Sequence, residues 1–294
     1  MLKHRLLVAV PLVILLALIF ICPGYYGKGL FTLLAVVMLS GSIHEGHTLL
    51  GGKSRDAYEI ILWLVGLGLI AAPWYPLLAE KEMLGIAYAA PSPHSVMAID
   101  AAIGVAAMLA AFCVTLKNGS SKEEMARLGA FTLTGVYVAW SLSFLVKLFF
   151  LPSGALLLGY LAVITKMADI GAYFVGTGTS RLPGGNHKLA PAISPKKSWE
   201  GLIGGAVFAI AASIIFRAIA HANGAEFISL GWAITMGVLS PIVGLIGDLA
   251  ESALKRAANA KDSGRIIGLG GLLDMLDSLI PMGIIFYAKV ILFS

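Results

Sequence analysis

Long apolar runs, broken by short clusters of glycine, proline and charge, constrain this chain more than any other feature. About nine can be marked, near residues 5–22, 29–43, 57–73, 98–116, 128–149, 154–175, 201–220, 229–247 and 271–293. A helix needs about 20 predominantly apolar residues to cross a bilayer, whose interior offers no hydrogen-bond partner to bare backbone. The runs are therefore expected as transmembrane helices. Apolar residues make up 59% of the 294 and charged residues 13%, where a soluble domain carries about a quarter charged. The expectation is an all-α polytopic protein in which residues 1–294 form one membrane-embedded domain. Residues 1–150 would supply its N-terminal helices, and 151–294 the spans and loops where the chemistry concentrates.

The opening segment has the basic start and apolar run of a signal peptide but lacks a small-x-small cleavage site. An uncleaved first span is expected. With the N-terminus in the cytoplasm, the basic residues around 3–5, 53–55, 117–127, 181–197 and 255–265 all fall on the inner side. Lys28, Lys81, Lys147, Arg217 and Lys289 fall outside or near outer ends, and Lys166 lies within a span. That asymmetry obeys the positive-inside rule. Topology and anionic headgroups thus account for the net charge of +5 without invoking nucleic acid. Cys22 and Cys113 lie far apart, with no CxxC pair, and read as small hydrophobes in lipid.

Ionisable groups within or at the edge of a membrane are costly and mark function by default. Here they gather late in the chain. Asp169 lies in the sixth run, Asp248 and Glu251 close the eighth, and Asp274 and Asp277 open the ninth. If that segment is helical, the spacing of three places Asp274 and Asp277 on one face, where they repel unless a cation intervenes. The other reading is that they favour a helix N-terminus. Oxygen ligands at Asp248, Asp274 and Asp277, with no nearby His or Cys, point to Mg2+ or a similar hard ion.

The longest basic loop follows the sixth run and ends in Ser194, Pro195, Lys196 and Lys197 before Trp199. Paired lysines at a helix start suit a polyphosphate, with Ser194 adding a hydrogen bond; a topology signal is the alternative. The GTG of Gly176–Gly178 lacks the spacing of a dinucleotide loop and reads as a turn. His44, Glu45 and His47 do not match HExxH; a polar turn on the inner face is expected, with Glu45 able to line a site.

The stretches DIGAYFVG, HKLAPAISPKKSWEGLIGG, GDLAESALKR and KDSGRIIGLGGLLDMLDS together resemble the phosphatidate cytidylyltransferase, or CDP-diacylglycerol synthase, family. The likeness covers roughly residues 160–285. Ser252, Leu254, Lys255, Arg256, Lys261 and Asp262 fit the family signature position for position. Beyond it the family's Pro-Gly-His-Gly-Gly and Asp-Arg become Ile267, Gly268, Leu269, Gly270, Gly271 and Asp274, Met275, so roles of that His and Arg are not carried over. The resemblance implies Asp248 and Asp274 as metal ligands and Asp169 and Lys197 near the nucleotide. It also implies a membrane-embedded cleft open to the cytoplasm and the lateral bilayer, and a homodimer; the compact chain without a transit peptide suggests a bacterial plasma (inner) membrane.

In the implied reaction an anionic phosphate oxygen of phosphatidic acid attacks the α-phosphorus of CTP, so no Ser-His-Asp or Cys-His arrangement is needed. Lys196, Lys197, Lys255, Arg256 and Lys261 are the expected phosphate clamps, with Asp262 orienting Lys261. Asp169 would ligate a second cation or hold a basic partner. Two other readings are a CTP-dependent polyprenol or phytol kinase, in which a hydroxyl attacks the γ-phosphorus, and an ion-coupled transporter with Asp169, Asp248 and Asp274 on its path. The latter would carry polar groups through the midplane, rather than on one face.

Overall fold

The computed structural model describes residues 14–22, 24–79, 93–119, 121–260, 263–264 and 271–293. It is a helical protein. Seven helices among the described residues are long and apolar enough to cross a membrane, as the all-α polytopic expectation requires. The run at 57–73 corresponds to a helix of only 15 residues, and the run at 5–22 is described only from residue 14. The chain divides into two units, Met1–Phe150 with Ala260–Leu273 and Leu151–Asn259 with Asp274–Ser294.

In the first unit, α1 (Gly24–Leu49) packs on α2 (Ala57–Ala71). Phe31, Ala35, Leu39 and Ile43, spaced by four, are buried along one face of α1. Gly66 of α2 lies so close that a Cβ there would stand 2.6 Å from the Leu39 side chain. The start of α2 is set by Asp56, whose carboxylate accepts the Glu59 N–H at 2.9 Å, as an N-cap residue does. His47 reaches the same carboxylate at 3.0 Å and His44 reaches Glu59 at 2.7 Å. Residues 44–47 are therefore the last turns of α1, not the expected inner-face turn; their histidines tie it to α2.

Glu45 points elsewhere. Its carboxylate accepts from the Ser263 hydroxyl and from the N–H groups of Leu272 and Leu273, each at 3.0 Å. A Cβ on Gly264 would lie 2.0 Å from Glu45, so glycine is what lets the backbone come this near.

The unit continues through α3 (Pro93–Asn118), α4 (Lys122–Thr134), a π-helical turn at Gly135–Trp140 and α5 (Ser141–Phe150). Lys147 of α5, expected near an outer end, is buried with a side chain 3% exposed. It pairs with Asp100 of α3 and donates to the Ser143 hydroxyl at 2.9 Å. Breaking a buried pair from one side strands a charge, at a cost of about 3–5 kcal/mol. Lys147→Met is thus expected to unfold well below the wild type in detergent, and Asp100→Leu in the same chain to recover most of the loss; thermal melts of the two variants check this.

The second unit is built on α6 (Gly154–Thr179), α7 (Trp199–Ala222) and α8 (Leu230–Ala257). Small residues bring α6 and α7 together. A Cβ on Gly171 would lie 2.6 Å from the Gly204 carbonyl oxygen, and one on Gly205 2.9 Å from that of Ala168. In hydrocarbon such close packing replaces the absent hydrophobic drive. Tyr160 anchors the interior, ringed by Phe216, Phe227 and Phe286, and its hydroxyl meets that of Ser213 at 2.7 Å.

Three features depart from the sequence expectation. The GTG of Gly176–Gly178 is the last turn of α6, not a free turn. The basic loop contains an antiparallel hairpin, β1 (Lys188–Ala190) with β2 (Ser194–Ser198). The ninth run is not one helix: a single turn, α9 (Leu273–Leu276), is followed by a break at 277–278 and then α10 (Leu279–Phe293).

Candidate active site

Helical spacing arranges one wall of a cavity of about 490 Å3 in the second unit. Lys166, Asp169, Tyr173 and Gly176 line it from α6 at intervals of three and four, the spacing of one helix face, with Thr177 beside them and Ser180 just past the helix end. Pro241, Leu245 and Asp248 line it from α8 with the same periodicity. Lys188, Lys196 and Lys197 come from the hairpin, and Asp274, Asp277 and Ser278 from α9 and the break after it.

Local structure explains these placements. Ser198 ends β2 and caps α7, its hydroxyl accepting the Gly201 N–H at 3.1 Å. Losing such a cap costs about 1 kcal/mol. His187 and Glu200 close the base of the hairpin: both carboxylate oxygens of Glu200 accept the His187 N–H, and one meets its ring at 2.6 Å. Lys196 and Lys197 are therefore held on an ordered strand. On α8, a Cβ on Gly247 would fall 2.1 Å from the Asp277 carbonyl oxygen. Only glycine there lets the break between α9 and α10 lie against α8, beside Asp248.

Among the described residues, Asp169, Asp248 and Asp274 each pair with a lysine. Lys197 meets Asp248 at 2.7 Å, Lys255 meets Asp274 at 2.5 Å, and Lys166 meets Asp169 at 3.4 Å. Lys255 also lies 3.5 Å from Glu251, whose side chain is 0% exposed. Asp277 accepts the Ser278 N–H at 2.6 Å, close to the helix-start alternative, yet it also faces the cavity.

The cavity thus collects Asp169, Asp248, Asp274, Asp277, Lys196 and Lys197 of the residues singled out by sequence. Ser194, Lys255 and Arg256 are not in its wall, although Lys255 reaches Asp274. Lys261 and Asp262 lie outside the described residues. Sequence reading gave no role to Lys166, Lys188, Tyr173 or Thr177. Of these only Lys166 carried a usable signal, a cation inside an apolar run three residues before Asp169.

Among the described residues, no three His, Cys, Asp or Glu side chains converge as a ready-made metal cluster. The donor set still fits Mg2+, which is commonly held by one or two carboxylates together with substrate phosphates and water. Asp248 and Asp274 offer such oxygens, their charge balanced by lysines that a polyphosphate can attract.

The chain matches the model of the cytidylyltransferase family over residues 3–293. It is 31% identical over 294 residues to the phosphatidate cytidylyltransferase of Bacillus subtilis (strain 168), covering 99% of this chain and 98% of that protein. A second phosphatidate cytidylyltransferase, from Brucella suis biovar 1 (strain 1330), is 40% identical over 138 residues, 46% of this chain and 47% of that one. The uncharacterized protein YnbB of Escherichia coli (strain K12) is 34% identical over 167 residues, 53% of each chain.

Proposed function

This chain belongs to the cytidylyltransferase family, and from that premise we propose that it transfers the cytidylyl group of CTP to phosphatidic acid, forming CDP-diacylglycerol and releasing pyrophosphate. The observation that carries the reading is the meeting of four aspartates and four lysines, Lys166, Lys188, Lys196 and Lys197, in one cavity of the second unit. Bringing two polyanions together is the main difficulty of this reaction, and positioning and fixed charge are what the cavity supplies.

The chemistry needs little else. A phosphate oxygen of phosphatidic acid forms a bond to the α-phosphorus of CTP, and the bond from that phosphorus to the bridging oxygen breaks. Pyrophosphate leaves with the electron pair. A phosphomonoester is already anionic at neutral pH, its second pKa being about 6, so no side chain has to remove a proton. Lys196 and Lys197, held by the hairpin, would bind the nucleotide's phosphates, and Lys188 lies on the paired strand. Asp248 and Asp274 would hold Mg2+, with Asp277 and Asp169 as further oxygen donors; the ion would offset polyphosphate charge.

The positive-inside pattern favours a site opening to the cytoplasm, and the family resemblance favours a homodimer in a bacterial inner membrane. Acyl chains would remain in hydrocarbon while the headgroup meets a water-soluble nucleotide. Radiolabelled CTP tests the reading against a lipid kinase. Label in the α-phosphate should enter lipid and label in the γ-phosphate should not; the opposite distribution would reveal phosphorylation instead.

A further inference from the structure

Given cytidylyl transfer to phosphatidic acid as the reaction, we infer that Lys166 is the cation that receives the phosphate of the lipid substrate. Lys166 lies near the middle of α6, twelve positions from Gly154 and thirteen from Thr179. It therefore sits about 20 Å along the helix from the end that leads to the hairpin. A cation midway along an apolar span is expensive unless hydrated or paired. Among the described residues it pairs with Asp169, at 3.4 Å, and the lysine side chain is 55% exposed. The contact draws the ammonium one turn towards the hairpin end, into the cavity that Asp248, Asp274 and Asp277 also line.

Two observations separate this lysine from the other three in the cavity. Lys188, Lys196 and Lys197 belong to the hairpin, outside the apolar spans, where a water-soluble polyphosphate arrives. Lys166 instead stands beside Val163 and Ile170, at spacings of three and four, which are 38% and 41% exposed and are not part of the cavity wall. The ammonium thus stands where the cavity wall meets exposed apolar side chains on the surface of the span. A phosphate reaching it from that side is one that carries acyl chains. A phosphate of CTP or free pyrophosphate has the same chemistry but would come from the hairpin end.

Steady-state kinetics of the full-length protein in mixed micelles distinguish these sources, varying phosphatidic acid at saturating CTP and then the reverse. Lys166→Met is expected to raise KM for phosphatidic acid about ten- to a hundredfold, the loss of one hydrogen bond to a charged group. KM for CTP, inhibition by pyrophosphate and kcat should stay within about threefold, since those interactions are not touched. Lys166→Arg keeps the charge and should keep the low KM; it also serves if the methionine variant does not accumulate. An unchanged KM for phosphatidic acid, or an equal rise for CTP, would overturn the assignment. If the wild type itself forms no CDP-diacylglycerol, the reaction fails; if it does and Lys166→Met matches it, Lys166 alone is wrong.

Discussion

Asp248→Asn is expected to lower turnover of CTP with phosphatidic acid at least about a hundredfold, the scale seen when one preorganised electrostatic group is lost. The exchange preserves shape while removing the charge. Asp248 is part-exposed at the cavity wall and paired with Lys197 at 2.7 Å, so folding does not depend on it as it would on a fully buried carboxylate. The lysine would lose its counterion and the metal an oxygen donor, whereas α8 would keep every backbone hydrogen bond. Membrane insertion and the detergent melting temperature should therefore stay close to those of the wild type. Rates within about threefold of wild type would be too small a loss for a metal ligand.

Lys255→Met should act mainly on stability. Lys255 stands between Asp274 at 2.5 Å and Glu251 at 3.5 Å, and Glu251 is fully buried. Without the ammonium, two carboxylates are left facing each other away from bulk water. Removing one member of a buried charge group costs about 3–5 kcal/mol. A sharp drop in the melting temperature is expected, with activity lost alongside it because Asp274 is no longer held. Adding Glu251→Gln removes one of the two charges and should restore much of the stability. Full stability in Lys255→Met alone would mean that the triad is not a folding element.

Much of the fold was legible because hydrocarbon permits so few structures. The runs at 154–175 and 201–220 lie within a few residues of α6 and α7. Where charge enters, the same reasoning falters. Helix α8 continues ten residues past 247, to Ala257, through GDLAESALKR, and inside the protein Lys255 pairs with both Glu251 and Asp274. Hydropathy does not register that pairing. Likewise, Pro195 and the lysines around it gave no strand pattern, and the hairpin owes its form to pairing with Lys188–Ala190 and closure by His187 and Glu200.

The site was legible as a set of residues more than as an arrangement. Asp169, Asp248, Asp274 and Asp277 stand out because charges are costly in apolar segments. That Lys197 pairs with Asp248 and Lys255 with Asp274 depends on packing across 51 and 19 positions in the chain (248 less 197, 274 less 255). Glu45 is the extreme case, holding Leu272 and Leu273 from more than two hundred residues away. Its sequence signal was a carboxylate beside His44 and His47, just past the apolar run at 29–43.

The most direct measurement is incubation of the purified, folded protein with CTP, phosphatidic acid and Mg2+, followed by identification of both products. Equal amounts of CDP-diacylglycerol and pyrophosphate are the expected result. Release of CDP with a newly phosphorylated lipid, or no turnover by folded protein, would contradict cytidylyl transfer.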